Sequence, residues 1–295
     1  MKRKRLIVTA LALIVLILCA CGQKNNPNYR AYSSASDLKS AMSWHNGVEP
    51  MISAHRGGPM SGFPENAIET FENSLTYAPC IIECDIRVTR DGHLVLMHDA
   101  TIDRTTNGKG TVSSLTLDQL KLYRLVDENG RQTDFQIPTL KETLIWAKGK
   151  TILMLDIKQD VEASHVVNMV REMQAEAFSI IITYNWGQVE EIHALAPDLM
   201  ISASVNSYET AQMIFSSGTP MENFLFFVGI YEPELSIYNL AHLRGIRTIL
   251  GTMHNLDNKA AVKGISVYQQ LYQNGADILS TDNVPLVAEA IKAMK

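Results

Sequence analysis

Two histidines, an arginine, a lysine and four carboxylates stand at the ends of short apolar runs in this chain. His55-Arg56 follows the run 51–54, and Glu83-Cys84-Asp85 closes one that starts at Cys80. His98-Asp99 follows 94–97, and Asp156-Ile157-Lys158 closes 152–155. Residues i and i+2 of a strand share a face, so Glu83 and Asp85 point one way, as do Asp156 and Lys158. Two buried like charges repel strongly unless a cation lies between them, and hard oxygen donors suit Mg²⁺ or Ca²⁺. The same spacing also fits a structural carboxylate pair salt-bridged to Arg87 or Arg56. Asp156 and Lys158 read either as a third metal ligand with a phosphate-binding cation or as a strand-end salt bridge. Histidine suits proton transfer near neutral pH, and the fork of Arg56 suits a phosphate.

The elements that must hold these residues alternate along the chain. Apolar, strand-like runs fall at 51–54, 80–85, 151–157, 178–183, 199–205, 224–230, 247–251 and 277–281. Helical patterns lie between them at 65–77, 139–148, 161–176, 186–196, 207–216, 233–243 and 259–274, with a last helix at 285–294. Eight strand–helix units over about 250 residues predict a (β/α)8 TIM barrel, in which chemistry sits at the strand C-termini. The alternative is a doubly wound open sheet. The long segment from Arg87 to Pro138 is an insertion after the second strand. It opens on a hairpin signal at Asp91-Gly92 and carries a short helix at 116–122. Excursions of this length are usually functional or lid-like.

The ends of the chain read differently. Lys2-Arg3-Lys4-Arg5 followed by the apolar run 6–18 is a leader, too short to favour a spanning helix of about 20 residues. Leu18-Cys19-Ala20-Cys21 resembles a bacterial lipobox, so that residues 1–21 read as signal peptide and lipobox, with Cys21 lipidated and left as the mature N-terminus; an uncleaved anchor helix is the alternative. Either places the remainder outside the cytoplasm, on the membrane. Residues 22–45 read as a polar tether with a short helix from Asp37 as N-cap, and 46–295 as the barrel domain. Cys80 and Cys84, four apart on one strand, would lie about 13 Å apart, too far for a disulfide; they read as small buried apolar groups. A net charge of -5 with no basic stripe after the leader gives no reason to expect nucleic-acid binding. Oligomeric state is not legible.

The chain resembles the glycerophosphodiester phosphodiesterase family. The matching pieces are His55-Arg56-Gly57, Pro64-Glu65-Asn66, Glu83-Cys84-Asp85, Asp91-Gly92, His98-Asp99, Asp103-Arg104-Thr105-Thr106, Ile137-Pro138-Thr139-Leu140, Asp156-Ile157-Lys158, Gly275-Ala276-Asp277 and Thr281-Asp282. The resemblance implies hydrolysis of a small-molecule glycerophosphodiester to glycerol phosphate and an alcohol, by attack of the neighbouring glycerol hydroxyl and a cyclic phosphate. It implies His55 and His98 as the acid/base pair, Arg56 and Lys158 on the phosphate, and Glu83, Asp85 and Asp156 on a divalent cation (Ca²⁺ or Mg²⁺). Two departures stand out. The third acidic ligand is usually a glutamate, one methylene longer than Asp156. A tryptophan usual near the seventh strand is absent from Gly251-Thr252-Met253-His254-Asn255, although Tyr184 and Trp186 leave an aromatic nearby. His254 reads as a surface or loop residue, with an extra polar contact to the substrate as the alternative. Two other readings stay open: a lysophospholipase D-like enzyme acting on lipids, and a catalytically weak binding barrel.

Overall fold

The computed structural model describes residues 26–295. The leader, the lipobox and Cys21 lie outside the described residues. Helix α1 (Ala35–Met42) precedes strand β1 (Met51–Ala54). Then come α2 (Ile68–Tyr77), β2 (Cys80–Val88), β3 (Leu94–Leu96), the single-turn α3 (Leu117–Leu120) and α4 (Leu140–Ala147). The pattern continues with β4 (Leu153–Ile157), α5 (Ala163–Glu172), β5 (Ser179–Thr183), α6 (Trp186–Leu195), β6 (Met200–Ser204) and α7 (Tyr208–Phe215). It ends with β7 (Phe224–Phe227), α8 (Leu235–His242), β8 (Thr248–Gly251), α9 (Asn255–Lys263), α10 (Ser266–Gln273), β9 (Ile278–Thr281) and α11 (Val284–Lys292).

Eight of the strands are parallel and close on themselves in the order β1-β9-β8-β7-β6-β5-β4-β2, with β2 pairing back to β1. The open-sheet alternative is therefore excluded, and the (β/α)8 barrel stands. Strand β3 lies outside the ring, antiparallel to the end of β2.

Alternation along each strand divides the interior. Ile82, Cys84, Leu153 and Leu155 pack outward against the helices, while Ile81, Met154, Ile180, Met200, Leu225, Ile249 and Ile278 fill the barrel. Cys80 and Cys84 are free thiols buried in the outer layer. Leu38 and Met42 of α1 join the inner cluster and plug one end of the barrel. Arg247 ties that plug down through the carbonyls of Ala41, Ser43 and Glu49. Ser34, not Asp37, caps α1, its side chain accepting from the Asp37 amide; a cap must precede the first turn to reach its free N–H groups.

From Asn26 onward the segment read as a tether is docked. The Asn26 and Asn28 amides donate to Leu75 O, and the Arg30 amide donates to Lys150 O. Leu75 lies in the last turn of α2 and Lys150 just before β4, so this strap runs beneath the barrel, at the end opposite the strand C-termini. The helix expected over 259–274 is two helices, because Gly264 turns the chain at φ 81°. The insertion after β2 has its own apolar cluster, including Val95, Met97, Ile102, Leu120, Leu125 and Ile137, so it is a packed unit and not a loose loop.

Candidate active site

Strand register brings the carboxylates together. In the β2–β4 pairing Asp85 lies opposite Asp156, with Glu83 two residues earlier on the same face. Neighbouring strands are about 4.8 Å apart. Glu83, Asp85 and Asp156 are buried and offer oxygens all within 4.8 Å of one another. Beyond Ala54, which pairs with Ile82, the chain turns through His55-Arg56-Gly57. Arg56 sits in the left-handed region (φ 50°), and its amide donates to Glu83 Oε2 at 2.6 Å. Gly57 is required in this turn, since a Cβ there would lie 2.2 Å from the Phe71 ring. Such backbone conformations cluster at functional sites.

The two histidines are held alike. His55 Nδ1 meets Asp282 Oδ1 at 2.7 Å, and His98 Nδ1 meets Asp99 Oδ1 at 2.7 Å. A carboxylate only accepts, so each Nδ1 carries the proton and Nε2 remains for a substrate. Burial works to lower the His55 pKa, but the Asp282 hydrogen bond and the charges of Glu83 and Asp282 outweigh it, and the imidazolium is favoured. Asp282 is fixed in turn, its amide donating to Asp257, which also takes the Thr281 and Tyr268 hydroxyls. On the other side the Met97 amide donates to Asp85 O, which draws His98 to the end of β2. Arg104 clamps Asp99 and Glu65 with four bonds of 2.7–3.0 Å. That clamp is the main reason the Asp99 carboxyl is held well below the usual range.

The cations expected on a phosphate are engaged with carboxylates. Arg56 Nη1 reaches Glu65 at 3.2 Å, and its Nε lies 3.7 Å from Asp85. Lys158 Nζ bridges Asp85 Oδ1 (2.6 Å) and Asp156 Oδ2 (2.5 Å). Arg87 turns away, to Asp160 and the His98 carbonyl. Of the two candidate salt-bridge partners for the carboxylate pair, only Arg56 is near it.

The donor set fits a hard divalent cation. Burial, then the charges of Asp85 and Asp156, push the Glu83 carboxyl up, while Lys158 and Asn66 hold Asp85 down against the cost of its burial. Asp156 Oδ1 is buried without a partner. With Lys158 already set between Asp85 and Asp156, the cluster still holds one carboxyl pushed toward its neutral form and one orphaned oxygen, so Glu83, Asp85 and Asp156 would accept a further positive charge from a cation.

His55, Glu83 and Asp156 also line a cavity in the barrel mouth. Its walls include Met154, Ile182, Tyr184, Phe227, Ile249 and Met253. Met253 belongs to the stretch where the family's tryptophan is missing. His254 is exposed, at φ 65° before α9. Five partners went unassigned from the sequence: Asn66, Asp99, Arg104, Tyr184 and Asp282. All but Tyr184 lie within the short motifs that carried the resemblance, which is the signal that pointed to them. Asp282, Tyr184 and Asn66 were hidden because each acts on a side chain far along the chain, whereas Asp99 and Arg104 act on near neighbours that only the folded insertion orients.

Fold and site together define a TIM-barrel enzyme that sets imidazoles and carboxylates at the strand C-termini, where such barrels do chemistry. The Glycerophosphoryl diester phosphodiesterase family profile matches residues 55–223, and the chain belongs to that family. A crystal structure of a glycerophosphoryl diester phosphodiesterase from Parabacteroides distasonis is similar, with 35% identity and a TM-score of 0.86 over 90% of this chain and 94% of that one. A glycerophosphodiester phosphodiesterase of Caldanaerobacter subterraneus is 32% identical over 161 residues, 52% of this chain and 66% of the relative. A phosphodiesterase from Oleispira antarctica, solved with the product sn-glycerol-3-phosphate, shares the fold at 19% identity, TM-score 0.65, over 83% of this chain and 97% of that one. The matched region spans about two thirds of the length of the first of these curated relatives and 63% of another, from Bacillus subtilis.

Proposed function

We propose that this chain hydrolyses glycerophosphodiesters to a glycerol phosphate and an alcohol, with His55 and His98 as the acid/base pair and a divalent cation on Glu83, Asp85 and Asp156. The observation that carries the reading is the buried carboxylate cluster, with its orphaned Asp156 oxygen, beside two imidazoles each backed by an aspartate. Family membership and the activities named for the relatives support the substrate class.

Phosphodiester cleavage needs a base for the attacking hydroxyl, an acid for the leaving oxygen and positive charge for the phosphoryl oxygens. Asp282 and Asp99 fix the tautomers of His55 and His98, leaving Nε2 of each to take or give a proton. In the family route the attacking group is the neighbouring glycerol hydroxyl: one imidazole removes its proton while the other protonates the departing alcohol, and water then opens the cyclic phosphate with the two imidazole roles reversed, giving the glycerol phosphate. Arg56 and Lys158 supply positive charge for the phosphate. The cation, when bound, adds Lewis-acid stabilisation of charge on the phosphoryl group. The cavity walled by Ile182, Phe227, Ile249 and Met253 takes an apolar flank of the substrate.

The same proposal includes the leader: Cys21 is lipidated and holds the barrel on the outer side of a membrane. Among the described residues no helix is long and apolar enough to cross one, so this part rests on the leader sequence.

The test is hydrolysis of glycerophosphocholine, glycerophosphoethanolamine and a lysophospholipid, each with and without EDTA. Turnover of the first two that stops with EDTA and returns with Mg²⁺ or Ca²⁺ is expected. No metal-dependent turnover of any of the three would sink the enzyme reading; turnover of the lysophospholipid alone would move the substrate class to lipids.

A further inference from the structure

Asp156 carries an uneven set of partners. Both of its donors, Lys158 Nζ at 2.5 Å and Tyr184 Oη at 2.8 Å, go to Oδ2. Oδ1 is left buried and unpartnered, within the cluster formed with Glu83 and Asp85. The register explains how Tyr184 comes to be there. Leu155 pairs with Ile181, so Asp156 is level with Ile182, and Tyr184 follows two residues on the same face, where both line the mouth cavity. The residue is 56% exposed, yet its hydroxyl ends on a buried carboxylate. Burial and the Asp156 charge raise the phenol pKa, which keeps it a neutral donor.

We infer that Tyr184 is a positioning residue for the cation site: its hydroxyl holds Oδ2 and so sets the carboxyl plane of Asp156, leaving Oδ1 as the free oxygen for the cation. The inference rests on the proposal that the three carboxylates bind a divalent cation. It answers the shortness of Asp156. An aspartate cannot extend to a cation as a glutamate does, so its single carboxyl torsion must be set from outside, and a phenol from the next strand can set it. Groups that orient a metal ligand typically contribute 10–100-fold in affinity.

Calorimetric titration of Mg²⁺ and Ca²⁺ into the whole barrel, without substrate, tests this. Tyr184→Phe is expected to weaken binding by about 10–100-fold with an unchanged melting temperature, because only one oxygen of a half-exposed side chain is lost. In an Asp156→Glu background, where the longer side chain reaches without help, Tyr184→Phe should cost little. Binding by Tyr184→Phe equal to wild type, or the same loss in both backgrounds, would overturn the role. A wild-type protein that binds neither ion would remove the cation site itself, and this inference with it.

Discussion

An imidazole is useful in catalysis only when its tautomer and direction are fixed, and here that depends on side chains that carry no chemistry themselves. Asp282 does it for His55 and Asp99 for His98, both at 2.7 Å. Replacing either histidine by alanine should lower kcat by about 10²–10⁴-fold, the usual worth of a positioned acid or base, with the circular dichroism spectrum unchanged; full activity in either variant would remove that histidine from the mechanism. Asp282→Asn should be milder in loss but different in kind. His55 is favoured as imidazolium largely through Asp282, so removing that charge lowers its pKa. The limb of the kcat/KM profile that reports His55 should therefore move to lower pH. A limb that stays in place would assign it to another group.

At the level of elements, two pieces outside the ring of strands matter. The insertion after β2 supplies His98, Asp99 and Arg104, and Arg104 spans from Asp99 to Glu65 in the loop before α2. Arg104→Ala should lower kcat by releasing Asp99, and with it His98, while KM changes little. Arg104→Lys should restore only part of the loss, because an ammonium lacks the fork that grips two carboxylates at once. The strap before α1 is the second piece. Glu72 on α2 receives the Tyr29 hydroxyl, the Trp146 indole at 2.8 Å and Lys150 Nζ at 2.8 Å. Burial alone would raise the Glu72 pKa, yet these donors outweigh it and hold the carboxyl below the ordinary glutamate value. Its contribution is therefore complete above the ordinary glutamate pKa and is lost as pH falls through the lowered folded-state value. Glu72→Gln should lower the melting temperature at neutral pH by a few degrees, and the gap from wild type should close in acid. Activity should not change, since the strap lies at the far end of the barrel from the site.

At the scale of the whole molecule, the barrel has one plugged end and one open end. Helix α1 and Arg247 close the first, and the histidines and carboxylates line the second. A lipid at Cys21 would join the chain five residues before Asn26, which is itself docked beneath the barrel. Such an anchor would hold the plugged end toward the bilayer and leave the mouth open to water, an arrangement suited to soluble glycerophosphodiesters. Cys21→Ser should move the protein from the membrane fraction to the soluble fraction with kcat for glycerophosphocholine unchanged. Because an uncleaved leader could hold the variant on the membrane, the deciding measurement is fatty-acid labelling of the wild-type protein; absence of a label that Cys21→Ser removes would exclude lipidation of Cys21.

The sequence by itself determined the parts that obey a local period. Apolar runs of five or so residues alternating with amphipathic ones specified the strand–helix units, and the period of two put Glu83 with Asp85 and Asp156 with Lys158 on common faces. Breaks without a strong local signal were missed, as at Gly264, and so was the docking of residues 26–34, which depends on contacts with α2 and the approach to β4. The partners of the reacting groups were beyond reach for a different reason. His55 and Asp282 are 227 residues apart in the chain, and they meet because the ring closes β9 onto β1. Asp85 faces Asp156 because the parallel register slots β2 against β4 across a long insertion. Which carboxylate oxygen is left bare, and which hydroxyl leaves it so, is decided by that register and by the tyrosine on the strand beyond. A local period fixes which face a residue takes; only closure of the barrel fixes what stands opposite it.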